Sequence, residues 1–76
     1  MIAAILSGRI PVSSSNLASV GYSAFSGTLE IEFRGGGVYQ YFDVAASEYA
    51  RLLTASSHGK YFHTHIKDRY SYKRVS

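Results

Sequence analysis

The chain has 76 residues, no cysteine, 14% aromatic residues and a net charge of +3. That length allows one domain with a small core that buries about 60% of the unfolded surface, so homo-oligomerisation is an expected supplement, and the lack of cysteine excludes a disulfide scaffold and thiolate metal ligation. No apolar run approaches the ~20 residues of a membrane-spanning helix, and a cytoplasmic, soluble protein is expected.

Residues 1–11 begin with the apolar run Ile2, Ala3, Ala4, Ile5 and Leu6. The run suits an edge strand, a helix start or a patch against another subunit, and it is too short for a signal peptide and lacks the basic start of one. Ser7, Gly8 and Pro11 form a break, with the domain proper expected over residues 12–76. Ser13, Ser14, Ser15 and Asn16 make a polar turn whose side chains bond nearby backbone groups. A phosphate or ribose is the alternative partner for these hydroxyls. The turn leads into a first strand with Val20 and Tyr22 on one face, and Phe25, Ser26 and Gly27 connect it to the next.

In that second strand Leu29, Ile31 and Phe33 alternate with Glu30, Glu32 and Arg34, the period of a half-buried strand. Residues 38–44 are β-branched and aromatic and form a third. Gly35, Gly36 and Gly37 lie between them, so the two make a hairpin. A two-residue loop sets Phe33 against Val38 and Ile31 against Gln40. A loop of all three glycines sets Phe33 against Tyr39 and Ile31 against Tyr41, and turns Gln40 outward. The second register is preferred, because an unpartnered buried amide costs about 1–3 kcal/mol whereas a tyrosine buries its ring and keeps its hydroxyl at the edge. Tyr39 and Tyr41 are then chiefly core residues. Their alternative role is a stacking platform for nucleobases.

Residues 45–55 change to helical period, with Tyr49, Leu52, Leu53 and Ala45 or Ala46 on one face and Glu48 and Arg51 toward the other. A second helix is expected over residues 61–69, where Phe62, Ile66 and Tyr70 recur every four residues. Ahead of it, Ser57, His58, Gly59 and Lys60 offer a cap with outward N–H groups, a glycine that admits a ligand and an ammonium. This is a candidate phosphate cradle, with ordinary helix capping as the alternative. His58, His63 and His65 do not suggest a metal site, since helical residues two apart diverge by about 200°. No Ser/His/acid set or carboxylate pair is present, so catalysis is not expected; His58 with Lys60 is the one acid–base pairing left to a nuclease.

Residues 70–76 alternate as a final strand whose Lys73 and Arg74 guard an edge. Lys60, Lys67, Arg69, Lys73 and Arg74 stand against Asp68 alone, so residues 60–74 carry +4. Tyr61, Phe62, Tyr70 and Tyr72 are interleaved with them, a pattern that favours a polyanionic partner.

From Val12 onward the chain resembles the KTSC domain, a small module found at the C-terminus of some lysyl-tRNA synthetases and as a stand-alone protein in bacteria and phages. The resemblance is carried by Ser14-Ser15-Asn16-Leu17, Val20-Gly21-Tyr22, Leu29-Glu30-Ile31-Glu32-Phe33, residues 36–44 around Tyr39-Gln40-Tyr41, Tyr49-Ala50-Arg51-Leu52-Leu53 and residues 55–62. Three positions depart from the family's pattern: Ala45 for a proline that opens the helix, Ser23 for an aspartate and His63 for an asparagine.

The expected fold is α+β: a three-stranded antiparallel β-meander followed by two short helices packed on the sheet, with extra terminal strands possible. The leading expectation for function is a non-enzymatic module for RNA or another single-stranded nucleic acid, without a cofactor. Ser57, His58, Gly59, Lys60, Lys67, Arg69, Lys73 and Arg74 would meet phosphates, and Tyr39, Tyr41, Tyr61 and Tyr72 would stack on bases. Two alternatives are a phage or bacterial oligomer that sequesters a nucleotide messenger between subunits, and a protein adaptor or phage inhibitor of a host enzyme anchored by its tyrosines.

Overall fold

The computed structural model describes residues 8–76, so the apolar run at residues 2–6 lies outside the described residues. In chain order the elements are β1 (Ile10–Pro11), β2 (Leu17–Ser23), β3 (Thr28–Phe33), β4 (Val38–Tyr41), α1 (Ala46–Thr54), α2 (His58–His65) and β5 (Tyr72–Arg74). The strands form one antiparallel sheet in the order β1-β2-β3-β4-β5. This is the α+β meander read from the sequence, extended by one strand at each edge. Ile10 and Pro11, assigned from the sequence to the N-terminal segment, pair with Val20 and Ser19. Proline is tolerated there because β1 is an edge.

Strand β2 carries a bulge. Leu17 pairs with Phe33 but Ser19 pairs with Glu32, so Ala18 is the extra residue. As a result Leu17 and Val20, three positions apart, both reach the core face, with Tyr22 beside them.

The hairpin register corrects the sequence-based expectation. Ile31 faces Tyr39 and Leu29 faces Tyr41, two residues away from the preferred pairing. The loop has three residues, as expected, but they are Arg34, Gly35 and Gly36, closed by Phe33 N–H donating to the Gly37 carbonyl at 3.0 Å. Gly36 and Gly37 have φ of 115° and 95°, which explains why both are glycine. Arg34 is drawn into the loop because its backbone N–H and guanidinium donate to the carbonyls of Asn16, Ser14 and Val12.

Helix α1 begins after Ala45, whose side chain cannot cap, and its entry is fixed instead by the Tyr22 hydroxyl, which donates to the Val44 carbonyl. Tyr22 also stacks on Tyr49, with centroids 5.0 Å apart. Helix α2 starts three residues earlier than expected, because Ser57 caps it by accepting from the Lys60 N–H at 3.2 Å. It also ends earlier. The N–H groups of Ile66 and Lys67 both donate to the Phe62 carbonyl at 2.9 Å, closing the helix before the expected limit at Arg69. Leu17, Leu29, Ile31, Leu52 and Ile66 are fully buried between this helical layer and the sheet.

The opposite face of the sheet is polar yet covered. Glu30 is 0% exposed and Gln40 only 5%, so Gln40 points to the outer face as expected but is not in solvent. Its amide donates to Glu30 Oε1 at 2.8 Å, and the Arg9 guanidinium pairs with Glu30 Oε2. Arg9 Nε donates to Ser19 Oγ at 3.0 Å, and Ser19 in turn donates to Glu32 at 2.8 Å. Gly21 makes room for this arrangement, since a Cβ there would lie 3.3 Å from the Arg9 Cα.

Removing one partner of a buried ion pair costs about 3–5 kcal/mol, and the partial exposure of Arg9 puts Arg9→Ala toward the low end of that range. Urea unfolding should show Arg9→Ala and Gly21→Ala both less stable than the parent, whereas a double Arg9→Met, Glu30→Leu variant recovers most of the loss. Unchanged midpoints for both single variants would mean that residue 9 does not cover the sheet.

Candidate functional site

Five aromatic side chains from four elements meet on the helical side of the sheet. Phe33 ends β3, Tyr39 and Tyr41 project the same way from β4, Tyr72 from β5, and Phe62 comes from α2. Their contacts close a ring: Phe33 to Tyr39 at 5.5 Å, Tyr39 to Tyr72 at 5.9 Å, Tyr72 to Tyr41 at 5.6 Å, Tyr41 to Phe62 at 5.5 Å and Phe62 to Phe33 at 5.2 Å between centroids. These rings, with Gly36, Lys67 and Asp68, line a cleft of about 360 Å3.

The polar groups of the cleft come from the tyrosines and from the turn after α2. Tyr41 is 4% exposed, Tyr39 half-buried and Tyr72 59% exposed, and among the described residues no hydroxyl of the three has a hydrogen-bond partner. Burial, reinforced by neighbouring Tyr39 and Tyr72, pushes the Tyr41 phenol up to about 12. It therefore stays a neutral donor at physiological pH. The Arg74 guanidinium lies 5.8 Å from the Tyr39 ring centroid and leans over Gly37, where a Cβ would sit 3.3 Å from it. It adds a cation to the same corner.

A second cleft, about 270 Å3, shares Phe33, Phe62 and Lys67 with the first and continues along Asn16, Gly35, Gly59 and His63. Its wall is built by Arg34, which holds the carbonyls of residues 12–16 and so sets Asn16 against α2. Lys67 lines both clefts.

Other sequence candidates are placed elsewhere. The Ser57 hydroxyl is used as the cap, and the His58 Nδ1–H donates to the Leu52 carbonyl at 2.8 Å, which ties α2 to the end of α1. Gly59 is glycine because protein packs against it: a Cβ would meet Asn16 Nδ2 at 3.1 Å and Ser14 Oγ at 3.5 Å. Lys60 and Tyr61 line a separate shallow depression with Ser57 and His65. The Tyr61 hydroxyl donates to Glu48, as does that of Tyr70 at 2.8 Å. Desolvation pushes the Glu48 carboxyl up, but the two phenols, with His65 and Arg51, outweigh it and hold the group below its ordinary value. Arg69 is exposed on the turn, and Lys73 lies beside Gln40 on the opposite sheet face.

The structure thus brings Tyr39, Tyr41, Tyr72, Lys67 and Arg74 together and leaves Ser57, His58, Gly59, Lys60, Tyr61, Arg69 and Lys73 outside the aromatic cleft. Phe33, Phe62, Asn16, His63 and Asp68 join the two clefts without having been singled out as site residues. Phe33 carried only a core signal, Phe62 was noted among the aromatics interleaved with the basic end but not as a stacking residue, and Asp68 stood out only as the lone acid in a basic stretch.

A five-stranded antiparallel meander with two helices on one face is the class of domain defined here. The KTSC domain model matches residues 13–70, and the chain belongs to that family. It is 40% identical over 55 residues to a lysine–tRNA ligase of Trichormus variabilis, covering 72% of this chain and 10% of that protein. The chain therefore spans about a tenth of the length of the ligases it matches. An uncharacterized protein of Stutzerimonas stutzeri is 37% identical over 68 residues, covering 88% of this chain and 96% of that one. The crystal structure of a KTSC domain protein from Yersinia pestis superposes with a TM-score of 0.88 at 37% identity, covering 90% and 96% of the two chains. Among the described residues no helix is long and apolar enough to cross a membrane.

The raised Tyr41 value has a defined consequence for stability. A phenol moved from 10.0 to about 12 by folding contributes stability that is present below pH 10 and lost as pH rises through about 12. Ultraviolet titration of tyrosinate should show a late step near pH 12 that Tyr41→Phe removes, and alkaline unfolding should be less steep in that variant. Loss of amplitude near pH 10 in Tyr41→Phe, with the late step kept, would mean that the Tyr41 phenol is not buried.

Proposed function

We propose that this domain is a non-catalytic binding module for single-stranded nucleic acid, with RNA as the natural partner. The observation that carries this reading is the closed ring of aromatic side chains lining a cleft with Lys67 at its rim and Arg74 over Tyr39. Rings give faces and edges to unstacked bases, while the cations take the phosphates between them; these are the two parts of single-strand recognition. The second cleft extends the path past Lys67, so a strand has room on both sides of the cation. Support also comes from relatives in which a segment similar to this chain forms about a tenth of a lysine–tRNA ligase, an enzyme that by name acts on tRNA.

The site differs from a uniformly basic surface in having a face. Tyr72 and Arg74 point to the helical side, whereas Lys73 between them points to the other. A strand bound in the aromatic cleft therefore passes over the first two and not the third.

Fluorescence anisotropy with a labelled oligouridylate at rising salt tests this. Stacking is worth about 1–3 kcal/mol per base, so Tyr72→Ala should weaken binding by about 5- to 150-fold. Lys67→Ala should reduce the slope of log affinity against log salt by about 0.7, the value for one phosphate contact on a single strand. Lys73→Ala should change neither by as much. Failure to bind at low salt, or an effect of Lys73→Ala as large as that of Lys67→Ala, would overturn the proposal.

A further inference from the structure

The aromatic cleft is small. Its volume of about 360 Å3 lies near the lower end of the roughly 300–1,000 Å3 of ligand pockets, enough for one planar ring system and too little for a stacked run. Its floor holds a polar side chain that the protein leaves unused. Tyr41 is 4% exposed and its hydroxyl has no partner among the described residues, yet no fully buried nitrogen or oxygen there lacks one. The Tyr41 hydroxyl is therefore open to the cleft that the residue lines.

The rim adds a specific pair of charges. Lys67 and Asp68 are consecutive, exposed and on the same cleft, and neither side chain has a hydrogen-bond partner among the described residues. An ammonium only donates, and a carboxylate only accepts and can take two N–H groups at once. Guanine is the base whose pairing edge carries a carbonyl oxygen beside two N–H donors. Adenine and cytosine place a bare ring nitrogen beside their amino group, which a carboxylate repels, and uracil offers one N–H between two carbonyls. We infer that this cleft is a pocket for a single unstacked guanine, with Asp68 accepting from its two N–H donors, Lys67 donating to its carbonyl and Tyr41 supplying the hydroxyl at the floor.

The inference rests on the nucleic-acid reading for its natural ligand, but the two are separable by experiment. Wild-type protein and Asp68→Asn are titrated with GMP, AMP, CMP, UMP and IMP, and with oligouridylate with and without one central guanosine. A bidentate contact is worth a factor of about 5 to 150 between bases, so GMP should bind at least about fivefold more tightly than the other three common nucleotides. IMP, which lacks the exocyclic amine, should lose much of the gain. Asp68→Asn, an exposed change, should erase the preference for guanine, whereas oligouridylate should still bind and somewhat more tightly than to the parent, because a negative charge beside Lys67 has been removed. Tyr41→Phe should weaken GMP several-fold.

Equal affinities for the nucleotides, or a preference that survives Asp68→Asn, would overturn the guanine pocket. If oligouridylate binds and guanosine adds nothing, the pocket falls and the nucleic-acid reading stands. If GMP binds selectively and no oligomer binds, the pocket stands as a free-nucleotide site and the nucleic-acid reading falls. Binding of neither removes both.

Discussion

The pairing of Ile31 with Tyr39 is the constraint on which this molecule depends. It sets the phase of β4 against β3, and the phase decides which of its side chains face the helices. With Tyr39 and Tyr41 turned inward next to Phe33, the sheet presents three aromatic rings in a patch, and Phe62 of α2 and Tyr72 of β5 complete the circuit. A slip of one residue would exchange these tyrosines for Val38 and Gln40. Aromatic pairs contribute about 0.5–1.5 kcal/mol each beyond their buried area, so the five contacts also join α2 and β5 to the sheet. The loop that fixes the phase costs the chain two residues at positive φ, and both are glycine.

The two faces of the sheet solve different problems. On the helical face apolar side chains exclude water, and the ring of aromatics leaves a cleft where the helical layer ends. On the outer face Glu30 is buried among Arg9, Gln40 and the Ser19–Glu32 bond, and each of its two carboxylate oxygens has a donor. A buried carboxylate without partners is costly, whereas one with both oxygens satisfied also fixes which strands lie beside it. Arg9 comes from before β1, Ser19 from β2, Glu30 from β3 and Gln40 from β4, so this network registers four successive segments. Few polar side chains in a domain this small are free to do that.

The strands were legible because period-two alternation in Leu29, Ile31 and Phe33 and the β-branched, aromatic run after the glycines are local signals. The loop was legible in its length and not in its position. Arg34 belongs to it only because its guanidinium reaches carbonyls some twenty residues earlier, a contact no local pattern records. Alternation also implied a solvated face for Glu30 and Gln40, whereas Glu30 pairs with Arg9, read from the sequence as part of a separate segment, and Gln40 donates to Glu30. Helix α2 was misplaced toward its C-terminal end because Phe62, Ile66 and Tyr70 keep a four-residue spacing beyond the point where the helix stops. Ile66 and Tyr70 do reach the interior, but from the turn. The same limit applies to the site. Tyr39, Tyr41, Tyr72 and Lys67 were named from composition, while Ser57, Gly59 and Tyr61 looked equivalent to them until the fold gave each a structural partner.

Those structural partners also explain how the rim of the cleft is held. The turn that carries Lys67 and Asp68 is anchored at both ends. At its start Ile66 is fully buried and the Phe62 carbonyl accepts from two successive N–H groups. At its end the Tyr70 hydroxyl donates to Glu48, the carboxylate that Tyr61 also engages, so α1, α2 and the turn share one acceptor. Between these anchors two charged side chains stand exposed on a short, fixed stretch of backbone, facing rings whose positions are set by the sheet. Positioning of this kind reduces the ordering that binding would otherwise require. It also separates the roles of neighbouring residues: Phe62 and Ile66 hold the wall, Tyr70 holds the turn, and the Lys67 and Asp68 side chains have no hydrogen-bond partner among the described residues.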